Sequence, residues 1–144
     1  MTDQIVPRVV VSVMVMKDGK TLLNFRKGSF AADKFGVPGG KLDAMETFQQ
    51  CAERECMEEA GINVGPVHFV CIMNNLLHNP HHFVNLGVIC DWAGGEPTVM
   101  EPEKCASWGW YDLDKLPEPL TEVSQCLFQA LKTGENYFDA RYEA

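Results

Sequence analysis

Residues Gly40 to Ile62, with the sequence GKLDAMETFQQCAERECMEEAGI, decide how the rest of the chain is interpreted. Apolar residues recur at helical spacing from Glu46 to Ala60, and Gly61 follows as a residue that commonly ends helices. We therefore predict a helix over Glu46–Ala60. The stretch from Asp43 to Glu59 is also the most acidic of the chain, with six acidic residues against one arginine.

The predicted helix carries carboxylates on its apolar side. At about 100° per residue, Glu55 and Glu59 fall near the centre of that side, while Glu58 lies at its edge and Glu53 points away. Two carboxylates thus stand where a helix that packs on a core usually carries Leu or Val. The residues that mark the apolar side are Phe48, Cys51, Ala52 and Cys56.

Spacing alone leaves two explanations of these carboxylates open. A solvated helix face accounts well for Glu53. A divalent-metal site accounts better for Glu55 and Glu59, because carboxylates one turn apart repel each other and are costly to bury without a cation. Hard oxygen ligands suit Mg²⁺ or Mn²⁺. Arg54, one turn before Glu58, could hold a carboxylate in position or form an ordinary surface pair.

The composition is that of a globular protein. The chain has 144 residues, 46% of them hydrophobic and 22% charged, which predicts a single domain over residues 1–144. The formal charge of −8 argues against a nucleic-acid polymer or an anionic membrane as partner. The charge is uneven: residues 1–41 carry a net +4 and residues 42–144 a net −12.

The cysteine pattern and the N-terminus favour a cytoplasmic protein with reduced thiols. The six cysteines form no CxxC pair, and the N-terminus shows no signal-peptide pattern. The longest apolar run, Val9 to Met16, is too short for a membrane span, which needs about 20 residues. His78, His81 and His82 stand among asparagines, which favours a polar strand connection over a zinc site.

The remaining pattern predicts strands interspersed with two helices, hence an α/β fold with helices on both sides of a mixed sheet. An Asp18-Gly19 turn predicts a hairpin, and the last dozen residues are predicted to form a loose tail. The second predicted helix spans Leu120–Lys132. The predicted strands are Arg8–Met16, Thr21–Arg26, Phe35–Gly40, Asn63–Leu77, His82–Trp92 and Cys105–Tyr111.

The acidic stretch resembles the signature of the Nudix hydrolases, G-x₅-E-x₇-R-E-U-x-E-E-x-G-U, in which U is a bulky apolar residue. We call the matching residues Gly40–Ile62 the Nudix box, its glutamates the box carboxylates and its predicted helix the box helix. Every fixed position matches, and Cys56 at the first U position predicts only a packing adjustment. Segments 5–9, 26–29, 100–105, 108–110 and 116–117 are similar to the MutT-like nucleoside-triphosphate pyrophosphatases, so the likeness extends to about Leu120. The resemblance implies a Nudix-type α/β/α sandwich with a mixed central sheet.

The resemblance also implies a chemistry and a set of roles. Nudix enzymes cleave a diphosphate linked to another moiety by attack of water on phosphorus, with Mg²⁺ or Mn²⁺ bound at this motif. The implied metal ligands are the carbonyl of Gly40 and the carboxylates of Glu55, Glu58, Glu59 and Glu103. The same four glutamates are the implied catalytic groups, with Arg54 as their orienting partner and Glu46 as a supporting carboxylate.

The substrate side of the site is expected to involve the basic first third of the chain. Arg26 and Lys27 are candidates for the phosphates, although a solvated basic turn explains them equally well. We expect Gly39, Phe83 and Asn85 to contact substrate as well, with core packing as the simpler explanation of Phe83. Trp108 and Trp110 share one strand face and need no role beyond an aromatic core.

The predicted reaction is hydrolysis of a (deoxy)nucleoside triphosphate to the monophosphate and pyrophosphate, with oxidised purine nucleotides as examples. Base preference does not carry over, because residues 120–124 lack the Phe-Trp pair that related sequences often have. Alternatives are ADP-ribose, a dinucleotide or an isoprenyl diphosphate. A non-catalytic nucleotide-binding module is less favoured, since such modules commonly lose the glutamates that this chain retains. Many relatives dimerise, so the resemblance allows a homodimer.

Overall fold

The computed structural model of the protein describes residues 5–28 and 31–141. Ser29, part of one similar segment, and the first four residues, on which the signal-peptide prediction partly rests, lie outside the described residues. The helices are α1 (Phe48–Ala60) and α2 (Glu122–Thr133). The strands are β1 (Arg8–Lys17), β2 (Lys20–Arg26), β3 (Phe35–Gly36), β4 (Gly39–Lys41), β5 (Asn63–Val64), β6 (His68–His78), β7 (His81–Gly94), β8 (Cys105–Asp112) and β9 (Tyr137–Ala140).

The strands form one mixed sheet in the order β3-β2-β1-β7-β6-β9, with β4 paired to β1, β5 to β7 and β8 to β2. β1 runs parallel to β7, whereas β2 and β6 run antiparallel to their neighbours β1 and β7. Along β1, Val11 and Val13 pack in the core with α1, and Met14 packs in the core with α2. The two helices therefore cover opposite faces of the sheet, which confirms the predicted α/β/α sandwich.

The first hairpin forms as predicted. Asp18 and Gly19 have φ of 51° and 78°, which are the left-handed values that a tight hairpin turn needs. Strands β1 and β2 then pair from Lys17 and Lys20 outward.

The predicted strand over Phe35–Gly40 is wrong, because the chain changes partner within it. β3 pairs with β2, and β4 pairs with β1. Between them, the carbonyl of Pro38 accepts a hydrogen bond from the Val13 amide at 2.8 Å. The predicted strand Asn63–Leu77 is likewise divided into β5 and β6, and β5 pairs with the far end of β7.

The prediction of a loose C-terminal tail is also wrong. Residues Tyr137–Ala140 form β9, which lies parallel to β6 at the edge of the sheet. Asn74 on β6 donates to Asp139 on β9 at 3.1 Å. The partner strand lies more than 60 residues earlier in the chain, so a local polar pattern does not reveal the pairing.

Helix α1 begins two residues later than predicted. Thr47 is its N-cap and forms a capping box with Gln50, and Gly61 ends it in the left-handed conformation with φ of 68°. The buried side of α1 consists of small residues only: Cys51, Ala52, Cys56 and Ala60. Phe48, predicted on the apolar side, is 46% exposed, because it lies in the first turn beyond the edge of the core.

Helix α2 is capped by Thr121 and ends at Gly134. Leu127 is fully buried against the sheet, where a side chain at Gly87 would collide with it. Among the described residues, no helix is long and apolar enough to cross a membrane.

Candidate active site

One cleft of about 660 Å³ brings most of the predicted site residues together. The acidic face of α1, strand β4, the end of β2 and the loop before β8 border it, and its inner part reaches the sheet and the first turn of α2. Arg54 and Glu46 do not line the cleft and lie behind the carboxylates. The predicted residues that line it are Arg26, Lys27, Gly39, Gly40, Glu55, Glu58, Glu59, Phe83, Asn85 and Glu103.

The two glycines of β4 lie directly against the carboxylates of α1. The amide of Gly39 donates to Glu59 Oε2 at 3.0 Å. A Cβ atom at Gly40 would collide with the Glu55 carboxylate, and one at Gly39, where φ is 154°, would collide with the carbonyl of Val11. Only glycine allows the strand to pass between β1 and these side chains.

Arg54 is the centre of an ion-pair network at the outer end of this arrangement. Its guanidinium donates twice to Glu46, at 2.7 and 2.9 Å, and once to Glu55 Oε1 at 2.8 Å. It also reaches Glu58 at 3.3 Å and the carbonyl of Lys41 at 3.0 Å. The planar fork thus fixes a box carboxylate relative to β4, a geometry that a lysine cannot reproduce.

The network lowers the pKa of Glu46 to about 2, chiefly through the hydrogen bonds from Arg54 and secondarily through the amide of Asp43. The same bonds raise the pKa of Arg54 above its usual value. Glu46 is therefore ionised throughout the physiological range. It does not line the cleft and contacts the carboxylates of α1 through Arg54.

Two carboxylates that face the cleft have raised pKa values. Burial raises the pKa of Glu59 to about 8, against the lowering effect of the Gly39 hydrogen bond. Burial also raises the pKa of Glu55, against the effect of Arg54. Neighbouring negative charges raise both pKa values further: Glu58 acts on Glu55, Glu55 acts on Glu59, and Glu101 acts on both. The site thus concentrates negative charge that a bound cation would offset.

Glu101 is a cleft residue that the sequence analysis missed. It stands two positions before Glu103 in the same acidic turn, so spacing gave no reason to prefer one over the other. Both line the cleft, but Glu103 is exposed whereas Glu101 is partly buried and pairs with Lys104 at 3.7 Å. The turn is tied to the end of β2, because the Lys27 amide donates to the Lys104 carbonyl at 3.0 Å.

The donor set fits a hard divalent cation in its chemistry. Glu55 and Glu59 supply carboxylate oxygens, and the backbone of Gly40 lies against Glu55. Within residues 5–28 and 31–141, no three His, Cys, Asp or Glu side chains are already gathered as a metal site. Arg54 holds Glu55 Oε1 in this arrangement, so a cation there would compete with the guanidinium for that oxygen.

The inner part of the cleft has a polar floor that was only partly predicted. Asn85 was expected there, whereas Ser12 and Asn75, which line the same floor, were not. Ser12 interrupts the apolar run of β1, and Asn75 follows apolar residues of β6. The pattern of each strand therefore gives no reason to expect either residue in a site. At the rim, Ser124 in the first turn of α2 accepts a hydrogen bond from the Val37 amide at 3.1 Å.

The predicted histidine cluster and the two tryptophans of β8 contact other protein groups. His82 Nε2 lies 2.7 Å from Asn74 Oδ1, in agreement with a polar strand connection, although His78 lines the cleft. Trp108 and Trp110 pack on the core beneath α1, as the simpler explanation had it. Trp108 Nε1 also donates to the backbone carbonyl of Glu59 at 3.2 Å.

Comparison with known proteins agrees with this geometry. Residues 6–131 match the NUDIX domain family. The chain is 33% identical over 119 residues to the oxidized purine nucleoside triphosphate hydrolase of Danio rerio, which covers 76% of this chain and 69% of that protein. It is 31% identical over 112 residues to the NAD-capped RNA hydrolase NudC of Stutzerimonas stutzeri, covering 77% of this chain but only 39% of that protein.

A solved structure supports the same family assignment. The MutT NUDIX hydrolase from Burkholderia pseudomallei superposes with a TM-score of 0.82 at 33% identity, covering 87% of this chain and 98% of that one. The chain therefore belongs to the NUDIX family. Within that family it is a hydrolase of the MutT-like kind, as the similar segments outside the signature had indicated.

Proposed function

We propose that the protein hydrolyses (deoxy)nucleoside triphosphates to the monophosphate and pyrophosphate, oxidised purine nucleotides included, with Mg²⁺ or Mn²⁺ as cofactor. The observation that carries the proposal is that the carboxylates of Glu55, Glu58 and Glu59 line the same cleft as the neutral polar residues of its floor, Ser12, Asn75 and Asn85. Such a cleft suits a ligand with a charged phosphate end and an uncharged base end. The names of the Danio rerio and Burkholderia pseudomallei relatives agree with this substrate class.

The ligands that we propose for the metal are the carbonyl of Gly40 and the carboxylates of Glu55 and Glu59, with Glu58 and Glu103 at the exposed side. A bound divalent ion would neutralise phosphate charge and lower the pKa of a water molecule. Arg54 acts as a positioning residue, because it holds Glu55 from behind and Glu46 holds Arg54.

The reaction needs a proton acceptor and a phosphate clamp from the chain. A water oxygen forms a bond to phosphorus, the bridging phosphorus–oxygen bond breaks, and pyrophosphate leaves. We propose that one of Glu55, Glu58, Glu59 and Glu103 accepts the proton that the water loses. Arg26 and Lys27 would hold the phosphates, since both line the cleft and the charge of Arg26 already acts on Glu59. Gly39 would act through the backbone that it presents beside Glu59.

The test is pyrophosphate release from a panel of nucleoside triphosphates with Mg²⁺, comparing wild type with Glu59→Gln. We expect the variant to lose at least about 100-fold in turnover. The matched control is Glu53→Gln on the exposed side of α1, where Glu53 only accepts a hydrogen bond from Gln49 at 2.9 Å. Equal turnover of Glu59→Gln and wild type would refute the catalytic assignment, and so would an equal loss in the control.

The alternative substrates are ADP-ribose, a dinucleotide and an isoprenyl diphosphate. The similarity to the NAD-capped RNA hydrolase NudC supports keeping a dinucleotide among them. Adding these compounds to the same panel ranks them against the triphosphates by kcat/KM. A binding module without turnover is the remaining alternative. Binding of nucleotides without any metal-dependent hydrolysis of the panel would favour it.

Three further points stay proposals. We propose that residues 1–144 act as one domain, that the protein is cytoplasmic, and that it forms a homodimer. Exposed apolar side chains lie on β6 and β9, the last two strands at one edge of the sheet. Among them are the register partners Ile72 and Tyr137, which offer a surface for self-association. Light scattering at micromolar concentration measures the molar mass, and a monomer there would exclude a stable dimer.

A further inference from the structure

Glu59 stands in the last turn of α1, the part of a helix that frays most readily. The helix ends at Ala60, and the carbonyl groups in the last turn of a helix have no partner within it. Such a turn opens at little cost in free energy unless groups outside the helix hold it. Glu55 lies one turn further in and is held by Arg54. A proposed metal ligand in the last turn therefore needs support from elsewhere in the fold.

Two backbone amides supply part of that support. Gly61, which ends the helix, donates to the carbonyl of Met57 at 3.0 Å. Thr98, in the connection between β7 and β8, donates to the carbonyl of Ala60 at 2.9 Å. Because both donors belong to the backbone, these two bonds are kept when a side chain elsewhere is replaced.

The third donor is a side chain, and it acts on Glu59 itself. Trp108 Nε1 donates to the backbone carbonyl of Glu59 at 3.2 Å. Trp108 lies within β8, which pairs with β2 along Lys20–Arg26, and its ring packs on the core beneath α1. A paired strand thus holds the indole N–H in place. The Glu59 carboxylate is held separately, by the amide of Gly39 at 3.0 Å.

Trp108 also links the two acidic sides of the cleft. Strand β8 begins at Cys105, directly after the turn that carries Glu101 and Glu103. Both of these glutamates line the cleft opposite the carboxylates of α1. The bond from the indole to Glu59 therefore fixes the last turn of α1 relative to the strand that follows the acidic turn.

We propose that Trp108 is a positioning residue for Glu59. The proposal rests on the proposed function and adds a residue to its site. The indole keeps the last turn of α1 closed, so the carboxylate is in place before a cation binds. Without the N–H the turn is open for part of the time, and the apparent affinity for the cation falls in proportion to the closed fraction. A saturating cation restores the closed turn, because it binds that state.

The test is calorimetric titration of the full chain with Mn²⁺ alone, comparing wild type with Trp108→Phe. We expect the dissociation constant to rise about fivefold, since one hydrogen bond to the turn is lost. Hydrogen exchange at the amides of residues 59–62, measured without metal, should quicken by about the same factor. The matched control is Trp110→Phe, which loses an equal ring from the same strand face. Within the described residues Trp110 donates to no carbonyl of α1, so both readings should stay unchanged.

A second replacement separates the hydrogen bond from the packing of the ring. Benzothienylalanine at position 108 keeps the bicyclic shape and has sulfur in place of the N–H. It should weaken Mn²⁺ binding as much as Trp108→Phe does. In turnover of a triphosphate, both variants should lose about fivefold in rate at low Mg²⁺ but less than about twofold in kcat at saturating Mg²⁺. A general loss of stability would not be relieved by Mg²⁺ in this way.

The outcomes separate this inference from the proposed function. Equal Mn²⁺ affinity of wild type and Trp108→Phe overturns the inference even if triphosphates are hydrolysed. An equal loss in Trp110→Phe overturns it too, and so does wild-type affinity with benzothienylalanine, because packing would then be the cause. If both changes at position 108 weaken Mn²⁺ binding while wild type hydrolyses no triphosphate, the inference stands and the proposed function fails.

Discussion

The two helices of this protein have similar ends but different middles. Each begins at a threonine cap and ends at a left-handed glycine, Thr47 and Gly61 for α1 and Thr121 and Gly134 for α2. Helix α2 buries Leu127 and packs as an ordinary amphipathic helix. Helix α1 buries only cysteine and alanine side chains and uses the rest of its inner side for carboxylates. Packing therefore contributes more to holding α2 in place, whereas α1 depends more on its ion pairs.

The largest expected effect tests the packing side of this comparison. Leu127→Ala should lower the free energy of unfolding by about 3–4 kcal/mol, because a fully buried leucine leaves a cavity over Gly87. The equivalent truncation in α1, Cys56→Ala, should cost about 1 kcal/mol, since only a sulfur is removed. Urea unfolding followed by circular dichroism measures both. Similar losses for the two variants would mean that packing holds the helices alike.

The second prediction concerns the ion pairs. Arg54→Ala should reduce kcat about 100-fold, because Glu55 loses the group that orients it. Arg54→Lys should recover little, since lysine lacks the planar fork that contacts Glu46 and Glu55 together.

The matched control is Lys34→Ala, which removes the ion pair between Lys34 and Glu122, the first residue of α2, at 3.3 Å. It should change kcat less than twofold, because that pair is half exposed and supports no box carboxylate. Pyrophosphate release measures all three variants. A control that matches Arg54→Ala would show that any lost charge has this effect.

The third prediction is a pH dependence of stability that arises chiefly from Glu59 on α1. Folding raises the pKa of Glu59 from about 4.5 to about 8, so the folded state binds more protons than the unfolded state between these values. The stabilisation is complete below about pH 4.5 and is lost as pH rises towards 8. In metal-free protein we expect the melting temperature to fall by about 10 °C over this window.

Glu59→Gln should flatten this slope, and Mg²⁺ should oppose it by favouring the ionised carboxylate. Glu46 acts in the opposite sense, because its pKa is lowered to about 2: its stabilisation is present above about pH 4.5 and is lost below. Scanning calorimetry from pH 3 to 9 separates the two windows. A melting temperature that rises between pH 5 and 8 without metal would contradict the assignment to Glu59.

The smallest expected effects concern the caps. Thr47→Ala and Thr121→Ala should each cost about 1 kcal/mol. Thr121 should cost more of the two, because its hydroxyl also lies 2.7 Å from the buried Ser124. Thr133→Ala, which removes an exposed bond to the Gln129 carbonyl at 2.8 Å, serves as the control and should be close to neutral. Chemical denaturation resolves differences of this size only if all variants are measured together.

The parts of the molecule that follow local rules could be predicted from the sequence. Gly61 marks the end of α1, and the Asp18-Gly19 turn marks the first hairpin. The carboxylates of α1 recur at helical spacing, which placed them on one side of the helix. The signature then identified the family. The order of strands and helices predicted a mixed sheet with helices on both sides, but no local pattern specifies the parallel pairing of β1 with β7.

What could not be predicted depends on contacts between distant segments. Strand β9 is polar and short, and only its pairing with β6 makes it a strand. Glu101 and Glu103 look equivalent in the sequence, and the position of the turn against α1 separates them. Asn75 and Ser12 sit in apolar strands, so their meeting at the cleft floor depends on the strand order β1-β7-β6.

The hydrogen bond from Trp108 to the backbone carbonyl of Glu59 gives the box helix an optical label of its own. The other two tryptophans, Trp92 and Trp110, both lie under the ammonium group of Lys17, at 4.1 and 5.6 Å from the ring centroids. Replacing those two by phenylalanine would leave one indole as the source of the emission. Its spectrum would then follow events at the last turn of α1 without any attached dye.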